Sequence, residues 1–292
     1  MKILFIGTVL FSKNILDEII RSKNEVVGVV GKKKPGFNSD YYDIVKYSKL
    51  KKIDSVYTNN INSSKIIKWI KRKRPDIIFC IGWSQLLKKP VLKLPHKGVI
   101  GYHPSDLPKN RGRHPIIWSL VLGLHKIGSC FFYMNQKADA GRIISKRIFK
   151  IKKKFDSNLV YKKLITIGII QIKEILLKLK NNKLKPLPQK NYHSNSWRKR
   201  TEIDGKIDWR MSADNICNLV KALTKPYPGA YFVLNKKKII VWKSKVISLK
   251  TKNIEPGKII KSSKDVIIKC GDDALKLASF HPKINFKRIK YL

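Results

Sequence analysis

Three short, almost wholly apolar runs restrict the fold open to this chain: KILFIG at 2–7, EVVGVV at 25–30 and DIIFCI at 76–81. Each has the length of a strand, and a run apolar on both sides suits a strand buried on both faces, as in a parallel sheet. Between the first two runs, Ile15, Leu16, Ile19 and Ile20 share one helical face, with Ser12 at the start as a candidate N-cap and Arg21 at the end. Residues Ser63–Arg72 read as another helix, leading into the third run. Strand, helix and strand at this spacing predict βαβ units and a Rossmann-like parallel sheet. The loop GTVLFS after the first run lacks the GxGxxG fingerprint, so an ordinary nicotinamide site is not expected.

Farther along, Val99–Ile100 opens a strand and GSCFFYM (128–134) alternates like one. A long helix is predicted from Asp156 to Lys180, with Ile165, Ile169, Ile172, Leu176 and Leu179 as its apolar stripe. Residues 181–200 are polar, contain two prolines and read as a linker. Beyond it, one helix (Asp214–Leu223) precedes short strand-like runs at Ala230–Leu234, Lys238–Trp242, Val246–Leu249, Ile259–Ile260, Val266–Lys269 and Leu275–Ala278. That texture predicts a small OB-like β-barrel. The expected division is a catalytic domain over 1–190 and an OB-like domain over 200–292.

Composition narrows the function classes. About 43% of the 292 residues are hydrophobic, which supports a sizeable core and excludes global disorder. No apolar run approaches the ~18 residues that span a bilayer. At the amino end, a single Lys ahead of a short apolar stretch, with no small-residue cleavage site, does not read as a secretory signal. The four cysteines (Cys80, Cys130, Cys217, Cys270) never form CxxC, which argues against a disulfide scaffold and a zinc site and fits a reducing, cytoplasmic compartment. The net charge is +45, yet only eleven of the 64 basic residues are Arg, and the lysines are scattered along the whole length. That distribution reads as solvated faces and compositional bias rather than a nucleic-acid footprint. The positive field still favours anionic small substrates.

The densest cluster of unusual residues is GYHPSDLPKNRGRHP at 101–115. His103 falls in a loop after a parallel strand, where open α/β sheets place their sites. Asp139, in KADAG (137–141), lies in a second short loop beside Ala140 and Gly141, whose small size admits a ligand to the backbone. A hydrogen-bonded His–Asp pair moves protons near neutral pH. Taken without further support, a His in a Pro-rich loop is more often a structural hydrogen-bonder.

The spelling of these segments resembles the folate-dependent formyltransferase family, whose signature runs roughly N-x-H-P-S-L-L-P-x-x-R-G-x-x-P and then D-x-G. The match falls on His103, Pro104, Ser105, Leu107, Pro108, Arg111, Gly112 and Pro115, with Asp139 following 36 residues after His103. FIGT in the first strand, PDIIFCIGWSQLL (75–87), DGKIDW (204–209), LVKALTKPYPGA (219–230) and CGDDALKL (270–277) are similar to the family in the same order. RGRHPIIW, KADAG and PYPGA look more like the nucleotide-sugar enzymes. The basic insertion that methionyl-tRNA formyltransferases carry after the second strand is here only GKKKPGFNSDYYD, 31–43.

The resemblance implies transfer of a formyl group from 10-formyltetrahydrofolate to the primary amine of a nucleotide-linked amino sugar, serving cell-surface polysaccharide or lipopolysaccharide assembly. Methionyl-tRNA formylation, with tRNA as partner, is the alternative. A homodimer is among the assemblies that it allows, and no metal is called for. His103 and Asp139 would be catalytic. Trp83, Gln85, Leu86, Leu87, Lys137, Ala138 and Asp139 would hold the folate, the pterin mainly through main-chain groups. Thr8, Phe11, Ser105, Arg113, Lys225 and Tyr227 would contact the amino-sugar nucleotide. From the residues alone, Trp83 is a stacking platform or a core residue, and Arg113 a phosphate grip or a loop brace. One departure stands out: the family has Asn two residues before the His, and here that position is Gly101. Three explanations are open: the lost amide donor is replaced by Tyr102, Ser105, Ser129 or Gln136, a water fills the space that glycine leaves, or the protein binds substrate without efficient transfer.

Overall fold

The computed structural model describes residues 1–33, 39–249, 253–262 and 265–292. The chain begins β1 (Lys2–Gly7), α1 (Leu10–Arg21), β2 (Glu25–Gly31), α2 (Ile44–Leu50), β3 (Ser55–Tyr57), α3 (Ser64–Lys73), β4 (Ile77–Ile81), α4 (Lys89–Leu92) and β5 (Val99–His103). It continues with the two-residue β6 (Arg111–Gly112), α5 (Pro115–Val121), β7 (Lys126–Tyr133), β8 (Ile143–Lys150) and the long α6 (Ser157–Lys180). Seven strands form one sheet in the order β3-β2-β1-β4-β5-β7-β8. The pairs from β3 through β5 are parallel, whereas β7 runs antiparallel to β5. This is the Rossmann-like sheet that the apolar runs predict, with a mixed edge. Every residue of β4 is buried, as is every residue of β1 after Lys2, which is why their sequences show no polar alternation.

Ser12 is not the N-cap of α1. The cap is Val9, and Ser12 lies inside the helix, fully buried. Its hydroxyl donates to the Ile81 carbonyl at 2.6 Å and accepts from the Val9 N–H at 3.3 Å. The helix starts almost at the end of β1, so this serine pins its first turn to the end of β4. The approach is close enough that a Cβ on Gly82, whose φ is +64°, would come within 2.3 Å of Val9 Cγ2.

Helix α6 starts where expected, with Asp156 Oδ1 accepting the Leu159 N–H at 2.9 Å. The predicted stripe holds in the second half of the helix, where Ile172, Leu176 and Leu179 are buried, but not in the first, where Val160, Leu164 and Ile167 face inward and Ile165 and Ile169 are half-exposed. The polar Gln171 belongs to the buried face because it bonds Ser129 and Ser145.

The segment expected as a plain linker is partly built into the sheet unit. It carries a 3₁₀ turn at 191–193 and β9 (Ser196–Trp197), which pairs in parallel with β6. The polar, Pro-containing sequence has the texture of a linker because its bonds run from main chain and side-chain amides rather than from apolar packing.

The rest of the chain holds α7 (Ala213–Leu223), capped by the Ser212 hydroxyl, and β10 (Ala230–Leu234), β11 (Lys237–Ile247), β12 (Ile259–Lys261), β13 (Val266–Lys269) and β14 (Ala274–His281). These five strands make the curled antiparallel sheet of the small β domain, in the order β10-β11-β14-β13-β12. The runs predicted at Lys238–Trp242 and Val246–Leu249 are largely one strand, β11. Its register against β14 shifts around Lys243, so the polar break in the sequence is a bulge that bends the strand rather than a turn.

Two compact units result. One comprises 1–115, 127–149 and 162–197, and the other 116–126, 150–161 and 198–292. All four cysteines are buried and free. No helix among the described residues is long and apolar enough to cross a membrane.

Candidate active site

Strand order reverses at β1 and β4, with β2 and β3 on one side and β5 on the other. In open α/β sheets the crevice outside the carboxyl ends of the strands at such a point is the usual ligand site. Thr8 follows β1 there; it is buried, and its hydroxyl donates to the Gly82 carbonyl at 2.7 Å. The loop Gly82–Leu87 follows β4, and His103 ends β5.

His103 is buried, and its Nε2 lies 2.9 Å from the Asn110 carbonyl. A carbonyl only accepts, so Nε2 carries the hydrogen and Nδ1 is the exchanging nitrogen. Nδ1 lies 3.7 Å from Asp139 Oδ1, and the two side chains are 7% and 18% exposed. Ring and carboxylate therefore lie just beyond hydrogen-bond length of each other, with Asp139 the more exposed of the two. The other carboxylate oxygen accepts the Gly112 N–H at 3.1 Å. Asp139 itself is left-handed (φ +53°), a conformation that Asp tolerates better than most residues.

Two glycines close this geometry. Gly112 has φ +99°, and a Cβ there would lie 2.3 Å from the Trp197 carbonyl oxygen on β9. At Gly141 a Cβ would lie 1.5 Å from the Tyr133 carbonyl oxygen. The D-x-G spacing is thus a steric requirement: the carboxylate turns inward only because the chain two residues later lies against β7.

Gly101 is buried, and no open space adjoins it. A Cβ there would meet Met134 Cγ at 2.8 Å, Met134 Sδ at 3.1 Å and Phe132 Cζ at 3.1 Å. The expected gap for a water is filled by a thioether and a ring. Tyr102 and Ser129 cannot stand in as donors. Tyr102 stacks on Phe11 at 4.2 Å and shares a 3.0 Å hydrogen bond with Ser129, whose hydroxyl donates to buried Gln171. Tyr102 and His103 are consecutive on one strand and so face opposite sides of the sheet. Burial also pushes the Tyr102 phenol above its ordinary value. Ser105 is buried, with its hydroxyl donating to the Lys109 carbonyl at 3.1 Å. Gln136 is exposed. Gly101→Asn is expected to destabilise the protein by about 1–3 kcal/mol through overpacking. Combining it with Met134→Ala should recover part of that loss. Chemical denaturation of the two single variants and the double variant checks the coupling.

The other candidate residues divide by position. Trp83 is half-buried, its indole Nε1 is buried without a hydrogen-bond partner, and the Lys32 ammonium sits 4.6 Å from its ring centre. Arg113 is exposed and donates to the Ser84 carbonyl at 3.0 Å; Lys32 Nζ lies 3.4 Å from the Ser84 hydroxyl. Burial, and then Arg113, lower the Lys32 pKa, as expected where two cations share one edge. Gln85 is half-buried and holds Ile61 and Asn60. Leu86 is exposed, and Leu87 is core. Lys137 and Ala138 are exposed on the turn before Asp139. Phe11 is buried under Tyr102. Lys225 and Tyr227 lie in the other unit, with the Lys225 ammonium 5.4 Å from the Trp242 ring and the Tyr227 N–H donating to the Thr224 carbonyl. Sequence reading missed Met134, Gln189 and Asn195, since nothing in their local spelling signals the contacts they make.

The architecture is that of an α/β fold with a Rossmann-like sheet, and a His–Asp pair lies beyond the carboxyl end of β5. The chain matches the formyl transferase family model over 1–175 and the formyl transferase C-terminal domain over 199–285, and it belongs to that family. It is 38% identical over 242 residues to the bifunctional polymyxin resistance protein ArnA of Wigglesworthia glossinidia brevipalpis. That match covers 82% of this chain but only 36% of ArnA, so the chain spans about a third of that relative. It is 30% identical over 282 residues to a methionyl-tRNA formyltransferase of Caldanaerobacter subterraneus subsp. tengcongensis, covering 95% of this chain and 91% of that protein. Among solved structures, WlaRD, described as a sugar 3N-formyl transferase in the presence of dTDP and 5-N-formyl-THF, matches with TM-score 0.74 at 20% identity, over 97% of this chain and 99% of that one. The N-formyltransferase of Helicobacter canadensis, in complex with folinic acid and dTDP-3-aminofucose, matches with TM-score 0.71 at 20% identity, over 95% and 98%.

Proposed function

We propose that this protein moves a formyl group from 10-formyltetrahydrofolate to the primary amine of a nucleotide-linked amino sugar, in the cytoplasm. The observation that carries the reading is the approach of His103 Nδ1 to Asp139 Oδ1, 3.7 Å apart, beyond the carboxyl end of β5. The folate supplies an activated formyl carbon. Trp83 fits such a donor, since a flat ring with an unpartnered indole N–H at the loop after β4 suits a flat heterocycle edged with acceptors.

The residues then have definite tasks. Attack of the neutral amine on the formyl carbon would form the new carbon–nitrogen bond and place negative charge on the formyl oxygen; the bond to the folate nitrogen would break next, that nitrogen leaving with the proton that the amine nitrogen gives up. His103, held through Nε2–H, presents Nδ1 toward that charge and stabilises it when protonated. Asp139, the more exposed of the pair, takes the ammonium proton that must leave before the amine attacks, and keeps the imidazole oriented. With Gly101 and Met134 offering no polar hydrogen, His103 carries more of the oxyanion stabilisation here than it would beside an amide.

Support for a sugar acceptor comes from the two solved neighbours, which align along nearly their whole lengths and are sugar N-formyltransferases by description. The second reading, methionyl-tRNA formylation, is favoured by the full-length match to that enzyme and by the +45 charge. Against it stands the brevity of 31–43, of which 34–38 lie outside the described residues. Incubation with 10-formyltetrahydrofolate and a panel of dTDP-, UDP- and GDP-linked amino sugars should add one formyl mass to one or more of them. Formylation of methionyl-tRNA alone, with steep salt dependence, would transfer the assignment to the second reading.

A further inference from the structure

The segment after α6 reaches both members of the His–Asp pair. The Asn195 side-chain oxygen accepts the Asn110 N–H at 2.7 Å, and the Asn195 main-chain carbonyl accepts the Arg111 N–H at 3.0 Å. Asn110 is left-handed (φ +63°), and its own carbonyl takes His103 Nε2. Gln189 does the same for the other partner. Its amide nitrogen donates to the Asp139 carbonyl at 2.8 Å and the Gly141 carbonyl at 2.7 Å, and its oxygen accepts from Arg111 Nη2 at 2.7 Å. Both amide hydrogens and the oxygen are spent, and every bond lands on the turn bearing Asp139 or on the loop bearing Asn110.

We propose that Gln189 and Asn195 are positioning residues that set the distance and orientation between His103 and Asp139. Asn195 fixes the imidazole by holding the one carbonyl that selects its hydrogen-bearing nitrogen. Gln189 ties the left-handed Asp139 turn to the loop whose Gly112 N–H grips the carboxylate. Without these bonds the fold keeps its sheet, but the two loops lose their common anchor. This inference rests on the pair being the catalytic centre.

Four variants of the full chain test it. Gln189→Met removes the amide at constant length, and Gln189→Glu keeps the acceptor for Arg111 while replacing both donors by a carboxylate oxygen that faces the Asp139 and Gly141 carbonyls. Asn195→Ala removes the bond to Asn110, whereas Asn195→Asp preserves it. With 10-formyltetrahydrofolate and a dTDP-linked amino sugar, both Gln189 variants and Asn195→Ala should lower kcat by about 10- to 100-fold, the scale expected for about 1 Å of misplacement. KM should stay near the wild-type value, and Asn195→Asp should restore kcat. Nitrogen NMR of the histidine rings at one pH provides a readout free of substrate. His103 should show hydrogen on Nε2 in the wild type and in Asn195→Asp, and a tautomer mixture in Asn195→Ala. Unchanged kcat in both Gln189 variants, or losses of kcat that track thermal stability with an unchanged His103 ring signal, would overturn the proposal. Absence of transfer to any acceptor alongside the expected ring signals would fault the assigned reaction and leave the positioning intact.

Discussion

Truncation of His103 to alanine should reduce formyl transfer at least ~100-fold, equivalent to about 2.7 kcal/mol of transition-state stabilisation. The expectation follows from what surrounds the ring. In an amide-transfer site the largest electrostatic contribution comes from donors aimed at the developing oxyanion. Around Gly101 the space is apolar, filled by Met134 and Phe132, and Tyr102 and Ser129 are bonded to each other on the opposite face. Few donors remain to absorb the loss. The variant also leaves the Asn110 carbonyl without its partner, which costs about 1–3 kcal/mol if that group stays buried. A fall in melting temperature is therefore expected, but folate binding should survive, because the loops after β4 and before Asp139 do not depend on the imidazole. Steady-state kinetics and a folate titration on the same sample separate these effects. Asp139→Asn should lower the rate with a smaller stability change, since an amide oxygen there still accepts the Gly112 N–H.

Gly141→Ala is the substitution expected to do most damage to the site's scaffold. The added carbon would lie 1.5 Å from the Tyr133 carbonyl oxygen and 2.8 Å from its carbon. That carbonyl is main chain in β7, so no side-chain rotation relieves the clash, and either the strand or the turn must shift. The turn is the weaker of the two. It carries Asp139, both Gln189 bonds and the Tyr133 N–H to Arg142 carbonyl bond at 2.9 Å. The expected cost is about 3 kcal/mol or more, with loss of measurable transfer in whatever fraction stays folded. A thermal melt with near-wild-type midpoint would show that the turn yields far more easily than this packing allows.

Much of the first unit was legible in the chain. The runs at 2–7, 25–30 and 76–81 became β1, β2 and β4 because strands covered on both faces have no solvent side to demand polar residues. His103 and Asp139 stood out because prolines, glycines and charges crowd where a loop must follow a fixed path. What escaped depends on contacts distant in sequence. Ser12 has the spelling of an N-cap, but the burial of α1 against β4 puts it to another use. The missing side chain at Gly101 suggested room for water, whereas Met134, contributed from beyond β7, fills it. Residues 181–200 have the composition of a linker, and only the pairing of β6 with β9 shows that part of this stretch frames the catalytic loop. In β11, Lys243 looked like the end of a strand and proved to be a bulge.

The central claim is tested most directly by a crystal structure with 5-formyltetrahydrofolate bound. The account predicts the folate along the loop Gly82–Leu87, with its formyl group at the mouth of the crevice and within one hydrogen-bond length of His103. A folate seated elsewhere, or a formyl group turned away from both the imidazole and the Asp139 carboxylate, would contradict it.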